Sequence, residues 1–290
     1  MSAPAMLSAS AIMDWAERST VPSGFVSDAK AGGSQLLTNA PPADICREID
    51  DLANSHEGTA CFAGMLVGRD DPRPTVGADA LLDDGLRARI HARFSQRFDA
   101  FEERATHSIW MKWYLNTFLP PVLLTDVLLA RMLPVALDQM RFILSDDGRV
   151  SAVQIDGTSI DSTGTDPFTR FAPLIFDHFE PLITMWSVRT DVTRRVYWSN
   201  VGNTFEAMLR RIESTAGMTP RLREAQRLLE EPMWPDGRIN PLAGAVTYEN
   251  DIRLRRICCL QYMLPDRRFC KACPIEEAQV LHHGTSTACQ

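Results

Sequence analysis

The sequence predicts a mainly helical α+β protein with a small antiparallel β-hairpin sheet and a short cysteine-rich segment near its C-terminal end. Three observations carry this. Apolar residues recur at helical spacing through long stretches of the chain, one Asp-Gly dipeptide sits between two β-leaning runs, and four of the seven cysteines fall between Arg253 and Glu277. At 290 residues the chain can bury a substantial core. Its composition, 45% hydrophobic and 23% charged, is that of an ordinary globular protein. Composition shifts divide it into residues 1–40, rich in Ala, Ser and Gly and expected to be partly disordered; residues 41–245, the helical α+β domain; and residues 246–290, the cysteine segment and tail.

Asp44 leads into Ile45, Ile49 and Leu52, spaced for one face of a helix. Cys46 and Cys61 lie far from the other cysteines and read as small buried hydrophobes. Pro72 and Pro74 among charges mark residues 68–77 as a loop. Leu86, Ile90, Phe94, Phe98 and Phe101 continue a helical period over residues 81–105. Trp110, Trp113, Tyr114 and Phe118 form an aromatic stripe, which fits either a core or a stacking surface for a ligand.

The most apolar run, residues 115–137, is interrupted by Pro120, Pro121, Asp126, Arg131 and Pro134, so it reads as buried helices rather than a membrane span. The clearest hairpin joins residues 140–144 to 149–155 through Asp147-Gly148. Acidic residues at 156, 161 and 166 lie in the following loop but lack the spacing of a calcium-binding EF-hand. Residues 168–190 read as a helix broken near Pro173 and Pro181 and carrying His178, a structural histidine or a proton-transfer group. Residues 192–216 and 222–229 are two further helices; Asn200 and Asn203 in the first read as packing or capping groups.

The cysteine segment carries the chemistry. Cys258 and Cys259 are adjacent, ten residues follow, and Cys270 and Cys273 form a C-x-x-C pair able to reach one metal centre. Adjacent residues of a strand point to opposite faces, so the vicinal pair can share a centre only if the backbone bends there. Structural zinc, free or disulfide-bonded thiols, and an iron–sulfur cluster all remain open on spacing alone. A binuclear cluster, with separated irons and room for four thiolates, eases the constraint on the vicinal pair.

Charge and cysteine usage narrow the class. A formal charge of −7 and a pI near 5.4 argue against nucleic acid as main partner. No Lys or Arg precedes Arg18, so the charged region of a secretory signal is missing. An odd number of cysteines clustered at one end does not resemble a secreted disulfide framework. These features predict a cytoplasmic protein that does not span a membrane.

The pattern C-C-x10-C-x2-C, preceded by Arg255-Arg256 and carrying Tyr262, Leu264 and Pro265, resembles the C-terminal [2Fe-2S] segment of FhuF-type ferric-siderophore reductases. Upstream, His178-Phe179-Glu180-Pro181-Leu182, Trp198-Ser199-Asn200 and Asn240-Pro241-Leu242 resemble that family's H-x-x-P-L, W-S-N and N-P-L elements, in the expected order. The resemblance covers roughly residues 170–274.

It implies a cytoplasmic one-electron reductase of ferric siderophores, hydroxamates by family analogy. Cys258, Cys259, Cys270 and Cys273 would bind a [2Fe-2S] cluster, and Fe(II) would leave because its chelate holds it far less tightly than Fe(III). Arg255, Arg256, Arg267 and Lys271 are candidates for tuning the cluster potential or docking substrate, since cations favour the reduced, more negative cluster. With no G-x-G-x-x-G or Walker A motif, electrons are expected from a separate ferredoxin or reductase. Two other classes compete: a zinc-binding interaction protein without catalysis, and a relative of the siderophore-biosynthetic ligases.

Overall fold

The structure, a computed structural model, describes residues 44–99, 102–265 and 269–283. The expected disorder of residues 1–40, along with Phe101, Arg267 and Cys289, lies outside the described residues. Two long helices form the centre. Helix α3, Glu103–Leu129, is buried on every side from Ala105 to Val127, and α6, Arg194–Ala216, is buried from Val196 to Leu209. A helix apolar all round belongs in the middle of a core rather than on its surface. These two pack along one another, and α1 (Ile45–Asn54), α2 (Asp84–Ser95), α4 (Pro167–Ala172), α5 (Glu180–Arg189) and α7 (Pro220–Glu230) surround them.

Local chemistry sets the helix starts. Asp44 accepts from the Cys46 amide at 3.1 Å, Asp83 from Leu86 at 2.7 Å and Thr219 from Leu222 at 3.1 Å, each satisfying a first-turn N–H that has no partner within its helix. The acidic loop is explained in the same way. Asp156 and Asp161 accept from the amides of Thr158 and Thr163, and Asp166 caps α4 through Phe168 and Thr169.

The Asp-Gly hairpin is present: β4 (Arg141–Leu144) pairs antiparallel with β5 (Val150–Gln154). Gly148 takes φ +78°, and its carbonyl accepts from the Trp110 indole at 2.8 Å, tying the turn to α3. The hairpin is the middle of a larger sheet. Strands β1 (Leu66–Val67) and β2 (Val76–Gly77) extend it to the order β1-β5-β4-β2, with β1 parallel to β5. Two-stranded pairs join β3 (Arg131–Met132) to β6 (Ile160–Asp161), and β7 (Val246–Glu249) to β8 (Ile252–Arg255). The mainly helical α+β class stands.

Three details depart from the periodic reading. Residues 81–105 do not form one helix; Asp83 caps a separate α2, and α3 starts afresh with the Glu102 carboxylate accepting from Ala105 at 2.6 Å. The expected interruption at Pro120-Pro121 does not occur, because burial on all faces outweighs the roughly 3 kcal/mol a mid-helix proline costs. Between Pro173 and Pro181 the chain stays helical, through a π-helical turn over Pro173–Phe179. The wider turn accommodates the lost amide donors.

A buried ion network locks the far half of α3. Asp126 receives Arg170 at 2.9 Å and Arg221 at 2.8 Å, and Arg170 also reaches Glu224 at 2.8 Å.

Candidate functional site: a four-thiol loop beside an arginine-lined cavity

Strands β7 and β8 deliver the chain to the cysteines. Their two-residue turn, Asn250-Asp251, has positive φ at both positions, which suits the twist of a tight hairpin. The hairpin is held down on α6: Glu206 binds both Tyr248 and Arg253. At Gly202 of α6 the approach is closest; a Cβ there would stand 2.3 Å from that of Ala245. Ala245 in turn accepts from the Arg256 amide at 2.9 Å.

The required bend at the vicinal cysteines is present. Residues 256–260 leave the strand geometry, and Leu260 takes φ +64°. Carbonyls on either side of Cys258 are clamped by the central helices: Ser199 donates to Ile257 at 3.1 Å and Ser108 to Cys259 at 2.9 Å. The second pair folds back onto the hairpin, since the Arg255 amide donates to Ala272 at 2.8 Å.

All four thiols converge as a result. Cys259 Sγ lies 3.8 Å from Cys270 Sγ, and Cys273 bonds Cys258 and Cys270. The Cys259–Cys270 separation is almost twice a disulfide length, and every described cysteine is free. Hydrogen bonding sets the acidities in alternation. Cys273 lowers the Cys258 thiol to about 7, and Cys259 lowers Cys270; the donors Cys259 and Cys273 are raised. Cys46 behaves oppositely: burial pushes it up to about 12, as for an inert core thiol.

Two cations face this group. Lys112 Nζ, from α3, lies 3.7 Å from Cys259 Sγ and donates to Gln261 at 2.8 Å. Arg255 bonds the side-chain oxygen of Asn200, whose amide nitrogen donates to Ser108 Oγ at 3.0 Å. Lys112 is 6% and Arg255 2% exposed, yet among the described residues no carboxylate lies within 4.0 Å of either. Arg255 Nε has no hydrogen-bond partner among the described residues. Burying a charge beside neutral acceptors alone is costly.

The remaining candidates divide. Arg256 is exposed at the rim of a cavity, and Lys271 is exposed on the surface. The cavity, about 700 Å³, opens beside the thiol loop at Ile257. Arg194, Arg195, Arg238 and Arg256 line it, together with Trp198 and Phe176. Trp198 thus joins the cavity and Asn200 supports the loop. His178 serves packing: its Nδ1 binds the Val135 carbonyl at 2.6 Å and its Nε2 binds the Tyr114 hydroxyl. The aromatic stripe is core, with Trp110, Trp113, Tyr114 and Phe118 all buried.

A second possible ligand group escaped the sequence reading. Among the described residues, His91, Glu103 and His107 are the three-ligand set whose donor atoms all lie within 4.8 Å of one another. Burial lowers both imidazoles, His107 to about 3, so both are neutral near pH 7.

Comparison with known proteins matches this architecture to one family. The E. coli K12 protein named ferric siderophore reductase is 24% identical over 176 residues, 60% of this chain and 67% of its own length. The ATP-bound aerobactin synthetase of a hypervirulent Klebsiella pneumoniae pathotype overlaps with TM-score 0.47 and 12% identity, over 59% of this chain and 37% of that longer one. The family described as ferric iron reductase FhuF-like transporter matches residues 108–261, from the serine that clamps the thiol loop to the glutamine that receives Lys112. That match spans more than half of the 290 residues, and the chain belongs to the FhuF-like family.

Proposed function

We propose that this chain is a cytoplasmic ferric-siderophore reductase, that Cys258, Cys259, Cys270 and Cys273 ligate a [2Fe-2S] cluster, and that hydroxamate chelates are its substrates. Residues 41–245 act as the scaffold and 246–290 as the cluster-bearing segment. One observation carries the reading: two deeply buried cations, Lys112 and Arg255, face four converging thiols with no carboxylate beside them among the described residues. Four thiolates around a binuclear centre are net anionic, and supply the missing counter-charge. The bend at Leu260 lets the vicinal cysteines turn toward one centre, and a binuclear cluster has room for four thiolates.

Such a cluster supplies one electron at a time. Lys112 and Arg255 hold fixed positive charge beside it and so favour its reduced form. Ser199 and Ser108 fix the loop by its carbonyls, and Ser199 and Trp198 also line the adjoining cavity. A ferric chelate there sits one residue from Cys258, the half-buried thiol of the four. No nucleophile or general base is needed, because reduction alone weakens the chelate's grip on iron. The electron comes from a separate ferredoxin or reductase.

Anaerobic purification with iron and sulfide analysis tests this. The protein should be reddish-brown, with iron and acid-labile sulfide in equal amounts, and once reduced it should reoxidise on mixing with a ferric hydroxamate. Colourless protein containing zinc would replace the reading with a structural metal site.

A further inference from the structure

The cavity beside the thiol loop has a charge that the family resemblance does not explain. Four arginines line it against a single acidic residue, Glu180. Arg194 is bound to that Glu180. Arg238 is paired with Asp236 at 2.6 Å and lies over the Phe176 ring at 3.4 Å. Arg195 and Arg256 are exposed, and among the described residues neither has a carboxylate within 4.0 Å. They come from different elements, the start of α6 and the loop after β8, and both line this cavity. Its volume of about 700 Å³ is in the range that encloses most of a small organic ligand. Trp198, Phe176 and Ile257 add apolar surface for the chelate's body.

Resting on the reductase reading, we propose that this cavity selects ferric hydroxamates of net negative charge, in which carboxylates accompany the hydroxamates, over neutral or cationic trihydroxamates. Guanidinium groups favour carboxylates because their planar forked donors match both oxygens. Arg195 and Arg256 are the two free to do so on ligand entry, since Arg194 and Arg238 already hold Glu180 and Asp236. A neutral trihydroxamate would use the aromatic surface and leave both cations without counter-charge. Selectivity therefore comes from the two unpaired arginines, and affinity for the chelate's body from the apolar side chains.

Gallium(III) has the charge of ferric iron but takes no electron under these conditions, so its chelates read binding apart from reduction. Calorimetry on the anaerobically purified full chain would compare the gallium complexes of a citrate-bridged dihydroxamate, which is anionic, and a neutral cyclic trihydroxamate. The anionic complex should bind at least about tenfold more tightly, with affinity falling as salt rises. The Arg195→Gln/Arg256→Gln double variant should lose that preference while still binding the neutral complex, which also shows that it folds. Equal binding to the intact protein, or a preference that survives both substitutions, overturns the proposal. The ferric forms of both chelates, mixed with reduced protein, separate the two claims. Selective gallium binding with neither ferric form reduced sinks the reductase reading and leaves the selectivity; reduction of both without selective binding does the reverse.

Discussion

Helix α3 buries charge at two places, and they are handled differently. Near its C-terminal end Asp126 is enclosed by Arg170 and Arg221, and the network continues to Glu224, so the charges balance within the protein. Nearer its N-terminal end, Lys112 lies beside Arg255 and the thiols, with only the neutral acceptors Gln261 and Asn200 for the two cations. The first arrangement is self-sufficient. The second is complete only with an anion, and it occurs where four sulfurs converge. This contrast in charge balance is the ground for proposing an anionic centre at the thiols.

The largest effect belongs to the ligands. Cys270→Ser should abolish visible absorption and chelate reduction together, whereas Cys61→Ala should leave both intact. Visible spectra and ferrous-iron release would show it. If Cys61→Ala also bleached the protein, the ligand set would be wrong.

Asp126→Asn comes next. It strands Arg170 and Arg221, and should cost about 3–5 kcal/mol in chemical denaturation while leaving the cluster spectrum unchanged. Lys112→Met should do the converse, lowering the midpoint potential by about 60 mV, a tenfold change in the one-electron equilibrium, with little loss of stability. Potentiometric titration beside urea melts reads both. Should Lys112→Met destabilise the protein and leave the potential alone, the lysine would be a packing group like any other.

The last effect is read as a pH slope and concerns a buried group that avoids charge altogether. Burial lowers His178 to about 3, despite its bond to Val135, so the folded state keeps it neutral while the unfolded chain protonates near pH 6.5. Protons thus bind preferentially to the unfolded state. Stability present above pH 6.5 should be lost on acidification at about 1.4 kcal/mol per pH unit until pH 3. His178→Gln should lessen the slope between pH 6 and 4 by that amount, in urea melts run at each pH, while buried His107 keeps its own contribution. An unchanged slope would assign acid sensitivity elsewhere.

Much of this fold is visible in the chain's local patterns. Helical spacing marks α1, α6 and α7, and Asp147-Gly148 marks its hairpin, because each signal lies within a few residues. The four cysteines that converge are legible for the same reason, through their spacing. Other features escaped because they depend on distant parts. Lys112 lies within the aromatic stripe and carries no motif of its own; only the folded chain brings it to Cys259. The β7–β8 hairpin turns on Asn250-Asp251 without a glycine, so its left-handed residues gave little warning. The cavity assembles arginines from positions 194–195, 238 and 256, which no short window contains.

The contact between Gly202 and Ala245 has a consequence for how such a protein diversifies. With no room for even one methyl group, two backbones are held against each other between the recognition surface and the thiol loop. Arg195 and Arg256, by contrast, are exposed at the cavity and hold no carboxylate among the described residues. Such rim side chains can be exchanged while a joint with no space for a side chain at position 202 keeps the cysteine loop in place.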